Sequence, residues 1–443
     1  MQLPTGGPAA LSARVSRRAL AVALAACALA LAAYLAEIAT HQSQLMLSWY
    51  DLRIYNHGGL VARDVPRMLY VWRSIKFTYT PFAALIFAAG SLLPWTLLRA
   101  LMLAASLGAL AGTVWLTFGA LGWRGRVRTV ATLVLCAVGL WSEPVQRGLH
   151  LGQVEPILML LVVWDLTMDD RRSWKGAGIG LAAGIKMIPL IFIPYLLISG
   201  KLRQAAVATG VFAATVLTGF VFLPSASDKF WLTGYFLSSG NVGGTGSVLN
   251  QSILGILTRI DHGNVAQATP LWIVLALVVG VAGLIAAAAL HRSGQPVAGW
   301  ATCAITGLLV SPISWDHHWL WIVPVLALLT DTALRRRGGL HGTWWALGGL
   351  VIMVYEAWPR YWAGPKALLP SGLLGYVPRA HRYGLAWFSD NLFVLAGLAM
   401  FVVMLLAALG TWLDSRSGRS SDLMLNADDL LAPIPRIPET SGG

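Results

Sequence analysis

Of the 443 residues, 57% are hydrophobic and only 12% are charged, and the mean hydropathy is +0.67. Soluble domains run nearer roughly 45–50% apolar and about 25% charged, so a water-soluble enzyme is excluded and the chain reads as a polytopic membrane protein. The formal net charge of +13 is accounted for by basic loops facing anionic lipid, and no nucleic-acid partner is implied.

In chain order, Arg14, Arg17 and Arg18 precede an apolar run over 19–39. That run exceeds the roughly 7–15 apolar residues of a secretory signal and predicts a first transmembrane helix. SWYDLRIYNHGG (48–59) then places an acid, a base and several hydrogen-bonding groups directly after the oil. It is either a surface loop or the seat of a catalytic carboxylate. KFTYTPF (76–82) follows. Further runs of spanning length fall near 95–120, 128–142, 152–168, 204–223, 271–290, 297–314, 319–334, 343–358 and 391–413. Cys27, Cys136 and Cys303 lie inside apolar runs without metal-ligand spacing and read as small buried hydrophobes.

The segment 176–199, GAGIGLAAGIKMIPLIFIPYLLIS, carries Lys186 and Pro189 at its centre. Pro disfavours helical geometry in the residue before it, so two half-helices meeting near Lys186 are expected. With that segment starting and ending inside, WRGRVR (123–128), MDDRRSWK (168–175), KLR (201–203), HR (291–292) and RRR (335–337) all fall on the cytoplasmic side with both termini. The expected fold is all-α: a polytopic integral membrane protein with one domain over 1–413 and a polar, Pro-rich, disordered cytoplasmic tail over 414–443.

The unusual polar stretches gather on the other side. They are SWYDLRIY, KFTYTPF, WSEPVQRGLHLGQVEP (141–156), GGTGSVLNQS (243–252) and SPISWDHHWLW (311–321), with Lys186 pointing the same way. Each has a bland reading: Asp51 as a solvated acid or helix cap, Glu143 as a cap, Asn250-Gln251-Ser252 as turn chemistry, and His317–His318 as interfacial residues between tryptophans. Lys186 resists that reading, because an ammonium in an apolar stretch calls for an anion. Asp169-Asp170 is similar to part of a DxD metal motif but sits in a basic turn, where a solvated loop is expected. No P-loop, HExxH or GxSxG motif is present, and no metal or other cofactor is implied.

The ordered series DLRIY, FTYTPFAA, WSEP…GQ, GIKMIP, NQS and SPISWDHHW resembles glycosyltransferase family 87, integral-membrane enzymes of the GT-C type, over about residues 45–335. The similarity is greatest to its polyprenyl-phosphate-mannose-dependent α-1,2-mannosyltransferases of phosphatidylinositol-mannoside and lipomannan synthesis. The resemblance implies a GT-C-like bundle of about 10–12 transmembrane helices with its active site in extracytoplasmic loops. It implies a polyprenyl-phosphate-mannose donor, a glycolipid acceptor and Asp51 as the catalytic base, with Lys186, His317 and His318 lining the site. Arg147 can join them at the donor phosphate. Tyr55, Tyr79, Glu143, Gln153, Glu155, Asn250, Gln251 and Asp316 are the candidate substrate-binding residues. Two positions depart from the family pattern: Glu155 stands where Asn is frequent, and Asp316 adds a second acid beside the histidines. A lipid-linked sugar transporter and a polyprenyl-phosphate-arabinose-dependent pentosyltransferase are the competing readings.

Overall fold

The computed structural model describes residues 15–41, 49–71, 76–237, 243–335, 341–356 and 384–429. The N-terminal apolar run forms α1 (Arg17–His41), and the polar stretch after it forms α2 (Tyr50–Asp64). Then come α3 (Pro81–Gly90), α4 (Trp95–Ala120), α5 (Gly125–Leu140), α6 (Glu143–Leu151) and α7 (Glu155–Thr167). α8 (Ala177–Ile185) and α9 (Phe192–Ile198) flank the break at Lys186, and α10 (Leu202–Phe222) leads into a polar segment holding α11 (Ile253–Ile260). α12 (Val265–Arg292), α13 (Pro296–Val310), α14 (Ile322–Arg335), α15 (His341–Tyr355) and α16 (Leu392–Asp429) complete the described chain, in which no strand occurs.

Among the described residues five helices, α1, α4, α10, α12 and α16, are long and apolar enough to cross a bilayer, and the α6–α7 pair, bent by 117°, is a sixth if it counts as one span. The other expected spans are helices of 16, 13, 15, 14 and 15 residues. At 1.5 Å per residue these fall short of the roughly 30 Å hydrocarbon layer. Their shortness is what makes room for a site. α5 ends just before α6, α7 begins at Glu155, α8 ends at Ile185, and α13 and α14 are separated by the His-His turn. The polar residues sit where these helices stop.

The long helices expose continuous apolar stripes, such as Leu271, Val274, Leu277, Val278, Val281 and Ile285 on α12. In lipid such stripes need no cover. The core lies between them, where α12 packs on α13, α8 on α10, α4 on α7 and α2 on α3. Cys303 is buried as expected, whereas Cys27 and Cys136 are only partly covered.

Three expectations meet the structure here. The segment 176–199 does break at Lys186, whose backbone is extended (φ −141°, ψ 129°) between α8 and a 3-10 turn at Ile188–Ile191. Asp170 is the exposed loop acid expected, its side chain 52% accessible, and it is paired as well: Lys175 and Lys201 lie 2.7 and 2.6 Å from it, and Gln204 bonds to it at 3.0 Å. These bonds hold two basic turns together and leave the carboxylate engaged. Of the expected tail, α16 runs on to Asp429 and 430–443 lie outside the described residues.

Candidate active site

The stretch Tyr50–Asp64 is a helix and not a loop, and its two glycines explain where it lies. A Cβ on Gly58 would stand 2.3 Å from the Phe77 ring, and one on Gly59 would stand 2.3 Å from the Phe87 carbonyl oxygen. Only a bare backbone lets α2 seat this closely on α3. The other flank of α2 meets the α6–α7 bend. Gly152 ends α6 in the left-handed region (φ 69°), and a Cβ there would come within 2.8 Å of Leu52. Pro156 at the second position of α7 then starts the next helix. The bend points Gln153 at α2, where its Nε2 donates to Asp51 Oδ2 at 2.5 Å. Its Oε1 accepts from the Tyr55 hydroxyl at 2.6 Å and the Tyr79 hydroxyl at 3.3 Å. The two tyrosine oxygens are 2.7 Å apart.

Thr80 brings Tyr79 to Lys186. Its hydroxyl oxygen caps α3 by accepting from Ala83 N at 3.1 Å and donates to the Gly184 carbonyl at 2.5 Å, at the C-terminal end of α8. The far end of α8 is held by Asp165, which accepts from Gly176 N and Ile179 N at 2.6 and 2.9 Å. Lys186, just past the break, donates to Glu155, contacts His318 Nε2 at 3.0 Å and reaches the Tyr79 oxygen at 3.4 Å. The anion that Lys186 calls for is thus already supplied within the protein by Glu155.

The His-His turn is a 3-10 helix, Asp316–Trp321, and the NQS segment holds it in place. Asp316 N donates to Leu249 O at 2.8 Å and Gln251 N donates to Ser314 O at 2.7 Å, pairing the two stretches. Asn250 Nδ2 reaches the Thr245 and Pro312 carbonyls, and its Oδ1 accepts from Ser314 N. Gln251 Nε2 bonds the Val248 and Asp390 carbonyls while its Oε1 accepts from Phe393 N and Val394 N. Both side chains are fully buried and spent on backbone, so they splice the turn to α16 and present nothing to a substrate.

Asp316 is similarly committed. One carboxylate oxygen faces His317 Nδ1 at 3.2 Å and accepts from its backbone N at 2.9 Å, and the other lies 3.1 Å from Arg147 Nε. Burial alone would raise its pKa, but Arg147 and His317 hold it below its ordinary value. Burial pushes both His317 and His318 down, so both rings are neutral near pH 7. The Asp316 contact assigns the His317 proton to Nδ1 and leaves Nε2 as an acceptor with no partner among the described residues. Glu155 Oε2 and His318 Nδ1 are likewise without one. Enclosure pushes the Asp51 carboxyl up, against the opposing pull of His317, Lys186, Gln153 and Arg147. Asp51 is therefore a stronger base than a solvated carboxylate.

Glu155, His317 and His318 bring ligand atoms within 4.8 Å of one another, a spacing that could hold a metal ion. The Lys186 ammonium bonds to two of the three, so in this arrangement the cation among them is the protein's own. Beside this polar end lies a small, partly open recess. Leu158, Met159, Val162, Ile188, Leu308 and Trp321 line it, beside Glu155, Lys186 and His318. The sequence reading overlooked these apolar residues. Their signal was helical spacing from the polar ones: Leu158, Met159 and Val162 lie three, four and seven places after Glu155, and Trp321 lies three after His318.

One connected group therefore unites Asp51, Gln153, Tyr55, Tyr79, Lys186, Glu155 and His318, with Arg147, Asp316 and His317 against it. Asn250 and Gln251 support it from outside. Glu143 is buried in the first turn of α6.

The sequence profile of glycosyltransferase family 87 matches residues 77–312. The chain is 29% identical over 363 residues to the polyprenol-phosphate-mannose-dependent alpha-(1-2)-phosphatidylinositol pentamannoside mannosyltransferase of Mycobacterium tuberculosis, covering 76% of this chain and 82% of the relative. The protein of the same description from Mycolicibacterium smegmatis is 31% identical over 383 residues, 84% of this chain and 86% of its own. A polyprenol-phosphate-mannose-dependent alpha-(1-2)-phosphatidylinositol mannoside mannosyltransferase of M. tuberculosis is 30% identical over 318 residues, covering 69% and 72%. No solved structure matches. With a family profile spanning more than half the sequence and relatives aligned over most of both chains, this protein belongs to glycosyltransferase family 87.

Proposed function

We propose that the protein transfers mannose from polyprenol-phosphate-mannose to a phosphatidylinositol mannoside, forming an α-1,2 linkage with inversion at the anomeric carbon. The observation that carries this reading is the juxtaposition of a cation-headed apolar cavity with an enclosed carboxylate. A lipid phosphate has an anionic head and an isoprenoid chain. Lys186 and His318 suit the first, and the trough of Leu158, Met159, Val162, Leu308 and Trp321 suits the second. All three Lys186 protons are engaged, so the donor phosphate takes the place of His318 at the ammonium.

The chemistry is one in-line displacement. The acceptor hydroxyl oxygen attacks the anomeric carbon and its proton passes to Asp51. The carbon–oxygen bond to the phosphate breaks, and its electron pair leaves with the lipid phosphate, where Lys186 and the histidines stabilise the charge. The relatives described above are all named as mannosyltransferases, and no observation favours transport or arabinose transfer. Incubation of the purified protein with radiolabelled polyprenyl-phosphate-mannose and phosphatidylinositol mannosides is expected to give a labelled mannolipid that an α-1,2-mannosidase cleaves. Donor consumed without labelled product, or label moved across vesicles intact, would overturn the assignment.

The site lies on the outer side in this reading, with both termini cytoplasmic. In support, the basic turns meet away from the polar network: Lys201 and Arg203 bond to Asp170 of the 168–175 turn, and Arg335 bonds to the Leu121 carbonyl at 2.6 Å. Positive charge concentrates on the cytoplasmic side. In a background lacking the native cysteines, Arg63→Cys is expected to react with an impermeant thiol reagent in intact cells and Arg171→Cys to be protected. The reverse pattern inverts the orientation.

A further inference from the structure

Gln153 occupies a position that neither the family assignment nor the proposed chemistry explains. Its amide lies between the Asp51 carboxylate and two tyrosine hydroxyls, and the hydrogen-bond directions can be assigned throughout. The carboxylate only accepts, so the group 2.5 Å from Asp51 Oδ2 is the amide nitrogen. The amide oxygen therefore faces the tyrosines. Tyr55 spends its one proton on that oxygen at 2.6 Å, and the single Tyr79 proton lies between the same amide oxygen at 3.3 Å and the Tyr55 hydroxyl at 2.7 Å. The Tyr79 oxygen in turn accepts from Lys186 at 3.4 Å. The result is a directed network that runs from Lys186 through Tyr79 and Tyr55, both aimed at the amide oxygen, to Gln153 and Asp51. It starts at the only ammonium of the network and ends at its base, and bonds aligned head to tail reinforce one another.

An amide does not hand protons on, so the chain is no proton wire. Its effect is orientational. Tyr55 and Tyr79 are fully or nearly fully buried, Tyr55 stacks on Phe87 with ring centroids 4.4 Å apart, and neither ring can turn away. Gln153 is 3% exposed. Asp51 Oδ1 has no hydrogen bond among the described residues, so the carboxylate is held by one oxygen and presents the other. Resting on the reading of Asp51 as the base, we propose that Gln153 is the positioning residue for that base: its amide, fixed by Tyr55 and Tyr79, holds Oδ2 and aims Oδ1 at the acceptor hydroxyl. The charged and titratable groups around Asp51 are Tyr55 on its own helix, Arg147 from α6, Tyr79 ahead of α3, Lys186 after α8 and His317 from the 3-10 turn.

The test measures kcat, donor KM and the pH profile of kcat/KM for Gln153→Met, Gln153→Glu and Tyr55→Phe beside Asp51→Asn. Gln153→Met keeps the volume but removes the donor to Asp51. It is expected to lower kcat about 10²-fold, the scale of a reacting group misplaced by about 1 Å, with donor KM within about threefold of wild type. Its acid limb moves to higher pH, because the lost N–H favoured the charged carboxylate. Gln153→Glu sets a second carboxylate against Asp51 and moves that limb further. Tyr55→Phe deletes one oxygen, frees the amide and shifts the limb in the same direction by less, so it decides the matter if Gln153→Met does not fold. Wild-type pH profiles in the folded variants, or a loss seen only in KM, overturn the positioning role. Near-normal turnover in Asp51→Asn instead defeats the reading of Asp51 as base. An inactive Asp51→Asn beside an unaltered Gln153→Met defeats only the present inference.

Discussion

Asp51→Asn is expected to lower turnover about 10²–10⁴-fold while donor binding stays close to wild type. The range is that of general-base assistance by a positioned side chain. Asparagine keeps the shape of the carboxylate and can still accept from Gln153 Nε2, so the contact between α2 and the α6–α7 bend persists and the loss reports chemistry and not folding. In the wild type, kcat should rise with pH through the Asp51 ionisation, since only the carboxylate takes a proton. Enclosure places that limb above the ordinary aspartate value. Steady-state kinetics with titrated donor, together with a binding assay on the inactive protein, separate the two effects. An Asp51→Asn protein with near-normal kcat would return this acid to a structural role. His317 Nε2, an unpartnered acceptor in the same enclosure, would then be the next base to test.

Lys186→Met is expected to abolish detectable transfer and also to weaken the protein. Lys186 is the only lysine or arginine among the groups lining the cavity, so on the proposed reading its loss removes the counter-charge of the donor phosphate. The same change leaves Glu155 without its cation. Breaking one half of a buried pair typically costs about 3–5 kcal/mol, because the remaining charge is uncompensated. The side chains of Lys186 and Glu155 are 17% and 10% exposed, which places them near that regime. The double variant Lys186→Met/Glu155→Gln removes both charges and is expected to regain most of the thermal stability in detergent without regaining donor use. Activity in the double variant would reassign Lys186 to a purely structural ion pair. Full stability in the single variant would show that Glu155 is solvated or protonated when the lysine is absent.

The membrane class of the protein was legible from composition, and its helices from the length of the apolar runs. The break at Lys186 was legible too, because Pro189 and a lone ammonium are local signals that no packing can erase. The extent of the short helices was not. An apolar run such as 128–142 or 319–334 reads alike whether it spans the bilayer or stops partway, and only the neighbouring helix ends show that α5 and α14 stop where the site begins. The stretch 48–59 was read as polar and unusual, but where its helix seats depends on Gly58 and Gly59 meeting Phe77 and Phe87, a contact across the chain.

The site divides along the same line. Composition and local motifs by themselves determined that chemistry collects in a few polar stretches, because an ionisable group in an apolar chain is costly enough to be conspicuous wherever it occurs. What each polar residue does was decided by tertiary structure. Asn250 and Gln251 stood out as much as Asp51 did, yet their amides are consumed by the backbone of Thr245, Pro312, Phe393 and Val394. Asp316 looked like a second candidate acid and is tied to Arg147 and His317. Glu155, which departs from the family pattern, is the partner of Lys186 across 31 residues of sequence, and Gln153 reaches Asp51 across 102. A hydrogen-bonding group carries its capacity in its residue type. Whether that capacity is spent or left for a substrate depends on which atoms the folded chain brings within about 3 Å, and that is not a local property.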